Sequence, residues 1–154
     1  PEEYLKIVEK KASAVETHTH IGAILGNGSK REVNALSNYG KNLGMILTLR
    51  DDLLDLENPE EALHRLKNES LPLPVLYALQ DVKYAPKIKS ILRKHTLTKS
   101  DYEKLLSIVN SCNGIKKTIK SMHDLAEKAS EYIRILPYCR HELRLLIRSV
   151  FLGV

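Results

Sequence analysis

Three carboxylates interrupt an apolar run at Gly44-Met45-Ile46-Leu47-Thr48-Leu49-Arg50-Asp51-Asp52-Leu53-Leu54-Asp55-Leu56, and no other stretch limits the possible folds so strongly. Counting back from Asp51, the residues Leu49, Leu47, Ile46, Met45 and Leu43 cover a helix nearly all round, as in a buried helix rather than a surface one. On such a helix Asp51 and Asp55 lie one turn apart on one face, with Asp52 on its flank, so all three are expected to converge on one point. Acids on a solvated face need no explanation. Acids at the end of a buried helix repel one another and are costly to desolvate, so a cation or protonation must neutralise them. Oxygen donors with no neighbouring Cys or suitably spaced His favour a hard ion such as Mg2+, which keeps several waters and is commonly shared with a phosphate.

The rest of the chain reads as helix. Leu5, Ile7, Val8, Ala12, Val15 and Ile21 recur at helical period and predict one helix from Glu2 to about Ile24, closed by Gly26-Asn27-Gly28. Ser29 with Glu32 three residues on is a capping box for a second helix, expected to run to Asp55 or Leu56. Within it Gly40 and Gly44, one turn apart, each cost about 1 kcal/mol relative to Ala, which close approach by a neighbouring helix or a ligand would offset. Asn58-Pro59 ends it and opens a short helix to Leu66. A buried helix follows at Pro74 to Leu79, then a basic one from Pro86 to Lys94, whose lysines read as solubilising. Thr98 and Asp101 offer a cap, with Ser100 and Glu103 as an overlapping alternative. After the break at Asn113-Gly114, a regular core helix is expected to continue to Leu136 and stop at Pro137, and an Arg-striped segment from Cys139 to Leu152 closes the chain. No alternating strand pattern of useful length occurs, so the fold class is all-α, with about seven or eight helices.

Composition narrows the partners. The 154 residues are one domain's worth, taken here as a single helical domain or the C-terminal part of a longer one. The net charge of +5 suits an anionic partner, either a diphosphate or an anionic membrane surface. Trp is absent and Phe single, so stacking platforms are scarce and nucleic acid is not an expected partner. Cys112 and Cys139 lack any paired framework, which fits a reducing cytoplasm. No apolar run reaches bilayer length, so no transmembrane segment is expected. The start, Pro1-Glu2-Glu3-Tyr4, has no initiator Met and enters helix at once, as a processed chain or a fragment would.

Ala35-Leu36-Ser37-Asn38-Tyr39-Gly40-Lys41-Asn42-Leu43-Gly44, followed by Arg50-Asp51-Asp52-Leu53-Leu54-Asp55-Leu56, resembles the second aspartate-rich motif of the trans-isoprenyl diphosphate synthases, the polyprenyl synthetases. Ile21-Gly22-Ala23-Ile24-Leu25-Gly26 and Leu73-Pro74-Val75-Leu76-Tyr77-Ala78-Leu79 fit the same family in the same order. The resemblance implies an all-helical prenyltransferase fold with a deep cavity, in which an allylic diphosphate condenses with isopentenyl diphosphate on Mg2+. It implies Asp51 and Asp52 as metal ligands, with Asp55 direct or through water, and Lys10 as the lysine of a Lys-Thr pair on the allylic diphosphate. Lys11 stands in place of that Thr, Leu47-Thr48 in place of a substrate-facing Phe-Gln, and Asn68-Glu69 near the place of a Gly-Lys. Lys67, just before it, is a further candidate phosphate ligand. The family's first aspartate-rich motif is absent from these residues. The expected object is therefore a half-site, inactive alone, whose partner is a missing N-terminal half or a homologous subunit in a homo- or hetero-oligomer. The alternative is a catalytically silent regulatory subunit.

Overall fold

In the computed structural model, which describes residues 1–153, nine α-helices and one short 3-10 turn follow one another with no strand among the described residues. They are α1 (Glu2–Lys11), α2 (Ser13–Leu25), α3 (Lys30–Glu57), α4 (Pro59–Asn68), α5 (Leu73–Leu79), α6 (Ala85–Leu92), α7 (Lys99–Ser111), α8 (Gly114–Tyr132), the 3-10 turn Ile133–Ile135, and α9 (Arg140–Val150). The chain divides into two compact units, one of residues 2–50 with the chain from Ser121 onward, the other of Asp51–Lys120 with Pro1.

In the first unit the expected single N-terminal helix is two. The break falls at Ala12, where backbone bonds from Ala12 N to Val8 O (3.0 Å) and from Glu16 N to Ala12 O (3.1 Å) carry the helical pattern across a bend. Packing explains the position. A Cβ added to Gly44 would lie 2.9 Å from Ala12 Cβ, and one added to Gly40 would lie 2.0 Å from Thr19 Oγ1 and 2.8 Å from Val15 O. The two glycines of α3 thus let α1 and α2 approach its backbone, and a neighbouring helix offsets their propensity cost. Residues 42–46 of α3 are all buried, as the apolar run predicts. Ser29 and Glu32 form their capping box, Ser29 N donating to Glu32 Oε2 at 2.8 Å and Glu32 N to Ser29 Oγ at 3.3 Å. Tyr39 is fully buried and donates its hydroxyl to Leu143 O at 2.9 Å, and burial pushes that phenol up to about 12. The helix expected to reach Leu136 ends at Tyr132, its last turn tightened into the 3-10 segment.

In the second unit α7 is the common support, with α4, α5 and α6 packed against it. Leu56, Leu66, Val75, Ala78, Ile88, Leu105 and Val109 belong to one buried cluster there. Tyr102 joins it and donates to Leu56 O at 2.8 Å, tying α7 to the end of α3. Asn58 caps α4, accepting from Glu60 N at 3.0 Å. Asn113 adopts the left-handed conformation (φ 55°), and Gly114 sits where a Cβ would meet Pro74 O at 2.4 Å. Of the two capping alternatives for α7, Thr98 with Asp101 is the one formed.

Gly40→Ala should lose about 1–3 kcal/mol by overpacking despite its gain in helix propensity. Gly22→Ala, with open space around it, should gain up to about 1 kcal/mol. Urea denaturation of the two variants checks this. Asp101, buried beside Lys94 and bonded to the Thr98 amide and hydroxyl, is held below its usual 3.8 at about 2. A carboxylate with a depressed folded pKa stabilises above its unfolded value and loses that contribution as pH falls through the folded one. Stability should therefore drop between pH 3.8 and 2, and Asp101→Asn should flatten that limb in pH-dependent unfolding.

Candidate functional site

The last two turns of α3 decide how the acidic cluster is used. Asp52, Leu53 and Leu56 are buried, Asp51 is exposed, and the Asp55 side chain keeps 38% of its exposure. Asp52 and Asp51 therefore point to different environments although they are neighbours in sequence.

Asp52 is fully buried with both oxygens engaged. Its Oδ1 accepts from Arg65 Nη2, and its Oδ2 accepts from Leu73 N at 3.0 Å. The same guanidinium donates through Nη1 to Asp55 Oδ2. Arg65 thus bridges two carboxylates on successive turns of α3, with only 9% of its side chain exposed. The second contact has its own logic. The residue at the N-cap of α5 is Pro72, which offers no side-chain acceptor, and Pro74 brings no N–H of its own. The Leu73 amide still needs a partner, and Asp52 provides it across 21 residues of sequence.

The three acids do not share one partner here: Arg65 bridges Asp52 and Asp55, and Asp51 faces solvent. Among the described residues no group of three His, Cys, Asp or Glu side chains stands in position to hold a metal. Arg65 is the cation that neutralises Asp52, and the donors left towards solvent are Asp51 and the outer part of Asp55, about 6 Å apart at Cβ by helical geometry. That pair of hard oxygens suits a hydrated Mg2+ and does not suit a dry three-carboxylate cage.

Arg65 is the residue that sequence reasoning missed, and a signal for it was present. On α4 the buried positions are Ala62, Arg65 and Leu66, so an arginine falls on the apolar face of an amphipathic helix and demands an anion. Lys67, on the exposed side of the last turn of α4, carries its charge where it complements the helix C-terminus. In the other unit Lys10 and Lys11 are exposed in the last turn of α1. Leu47 and Thr48 are half-buried on α3, and Thr48 donates its hydroxyl to Gly44 O at 3.0 Å.

Replacing Arg65 with Met should cost about 3–5 kcal/mol, because a buried carboxylate loses its countercharge. Adding Asp52→Leu to that variant should recover part of the loss, and Lys67→Ala should stay within about 0.5 kcal/mol of wild type. Denaturant midpoints of the four proteins check this.

Comparison with known proteins agrees with this architecture. The polyprenyl synthetase family matches residues 1–109. A short chain isoprenyl diphosphate synthase from Methanothermobacter thermautotrophicus is 31% identical over 134 residues, covering 85% of this chain and 38% of its own. A geranylgeranyl diphosphate synthase from Methanosarcina mazei is 30% identical over 147 residues, covering 94% of this chain and 45% of its own. The crystal structure of a geranylgeranyl pyrophosphate synthase from Lactobacillus brevis, complexed with citrate, matches 97% of this chain and 50% of its own with a TM-score of 0.86 at 23% identity, a likeness of fold. The chain thus spans half or less of the length of these proteins, and it belongs to the polyprenyl synthetase family.

Proposed function

We propose that this chain supplies one metal and diphosphate half-site of a prenyltransferase that condenses an allylic diphosphate with isopentenyl diphosphate. The observation that carries the reading is the divided acidic cluster: Asp52 is locked to Arg65 and Leu73, while Asp51 and part of Asp55 face solvent at the end of α3. In this reading Asp51 and Asp55 hold Mg2+, and Asp52 fixes the helix that carries them. Arg65 keeps Asp55 oriented. Lys10, Lys11 and Lys67 are the proposed diphosphate cations, and Leu47 and Thr48 line the proposed substrate pocket. Mg2+, when bound, neutralises diphosphate as it leaves a developing allylic carbocation, which is electrostatic catalysis without a protein nucleophile. The proposed setting is the cytoplasm, in keeping with the free thiols of Cys112 and Cys139. No helix among the described residues is long and apolar enough to cross a membrane.

These residues carry one aspartate-rich cluster, whereas a loose cationic transition state needs its leaving group neutralised from more than one side and shielded from water. The second cluster is therefore assigned to a partner, either an N-terminal half or a homologous subunit. One observation favours a second reading, a silent regulatory subunit: Arg65 already neutralises the inner acids without an ion.

Two measurements test the proposal. Mg2+ with inorganic diphosphate should raise the melting temperature more than either alone, by linkage worth about 2.7 kcal/mol at a hundredfold excess over Kd. Asp51→Asn should abolish the synergy. Product formation from labelled isopentenyl diphosphate should be undetectable with this chain alone and should appear on mixing with a polypeptide that carries the first aspartate-rich motif. Turnover by the chain alone contradicts the half-site, and silence after mixing favours the regulatory reading.

A further inference from the structure

The excess positive charge of this protein is concentrated in one place. Residues 82–104 hold seven of the 24 Lys and Arg but only two of the 19 Asp and Glu, so this stretch accounts for the whole net charge of +5 and the remainder is balanced. All seven basic side chains are exposed. Lys94 reaches Asp101 at 2.6 Å and Lys83 stands over the Tyr84 ring at 5.0 Å, while the other five make no ion pair among the described residues.

Helix α6 is the spine of this surface. Ile88 and Ile91 seat it in the core of its unit, which turns its basic positions outward on both sides. Lys87 and Lys94 line a shallow groove of about 700 Å³ together with Lys104 and Ser90. Lys89 and Arg93 line a second, of about 630 Å³, shared with Val82 and Leu79. Val82 protrudes from the turn before α6 with 89% of its surface exposed.

Seven like charges set against only Asp101, which Lys94 engages, and Glu103 on the first groove cost self-repulsion, which a partner bearing many negative charges offsets. The occupant must also accept an apolar tip. Single-stranded nucleic acid would need exposed rings, but Tyr102 is buried and Tyr84 half-buried. A protein partner would need an apolar centre, and Val82 is the one large apolar side chain exposed in this stretch. A lipid surface fits both features, since a cluster of basic side chains on a helix meets anionic headgroups while an apolar residue enters the interface. We propose that α6 and the turn before it dock this chain on an anionic phospholipid membrane, with Lys87, Lys89 and Arg93 at headgroup level and Val82 inserted. The inference stands on charge and exposure and is independent of the diphosphate site.

The test is co-sedimentation with vesicles of three parts phosphatidylcholine to one part phosphatidylserine, against vesicles of phosphatidylcholine alone. The chain should bind the anionic vesicles and leave the neutral ones, with binding that weakens as salt shortens the Debye length. Each Lys or Arg at such a surface multiplies partitioning about fivefold, so Lys87→Gln/Lys89→Gln/Arg93→Gln should lower it about a hundredfold. Val82→Ser should lower it severalfold. Arg134→Gln/Arg144→Gln/Arg148→Gln removes the same charge from the 3-10 turn and α9 and should leave binding near wild type; circular dichroism checks that each variant is folded. Absence of binding to anionic vesicles, equal binding to neutral ones, or equal loss in both triple variants overturns the proposal. So does salt-sensitive binding to single-stranded RNA with none to vesicles.

Discussion

One guanidinium, that of Arg65 between Asp52 and Asp55, holds together the beginning of the unit from Asp51 to Lys120. It joins the end of α3 to α4, and the remaining oxygen of Asp52 takes the first amide of α5. Three helix ends separated by loops are thus fixed at one buried point. Such a network adds little net stability over a well-packed apolar substitute, yet losing one member leaves a buried charge, so it admits few alternative arrangements. The bulk of the stabilisation comes from the apolar cluster that α4, α5, α6 and α7 share.

The same contact determines what the acids can do. A carboxylate that accepts from a guanidinium and a backbone amide is neutralised by them, and Asp52 in this state joins α3 to α4 and α5. Asp51 has no such claim on it within the hydrogen bonds of this helix and faces water. In the proposed half-site the net charge of the three acids and Arg65 is close to that needed by one divalent ion, and further cations are required only when diphosphate arrives. Lys67 in α4, and Lys10 and Lys11 in α1, occupy last-turn positions, and being exposed they contribute little to stability.

Local chemistry was legible in the sequence. The capping box at Ser29 formed as its pattern required, the Thr98–Asp101 alternative formed rather than Ser100–Glu103, and Asn58, read from the sequence only as a helix end, also caps α4. The all-helical class followed from periodicity, and the glycine pair of α3 announced the close approach that Ala12 and Thr19 make. What escaped was decided at long range. Nothing near Ala12 signals the break between α1 and α2, where the chain passes close to Gly44 of another helix. The sequence put three acids at one helix end but could not say which of them would turn inward; that depended on Arg65 and on a proline-capped helix start, 13 and 21 residues beyond Asp52. The basic stretch around α6 was visible as composition, whereas its outward presentation on both sides of one helix depended on how Ile88 and Ile91 seat it.

The most direct test of the division within the acidic cluster is anomalous diffraction from crystals of this chain grown with Mn2+ and inorganic diphosphate. The account predicts an anomalous peak against Asp51 and Asp55, with Asp52 still bound to Arg65 and to the Leu73 amide. An ion ligated by Asp52, with Arg65 displaced from it, would contradict the account.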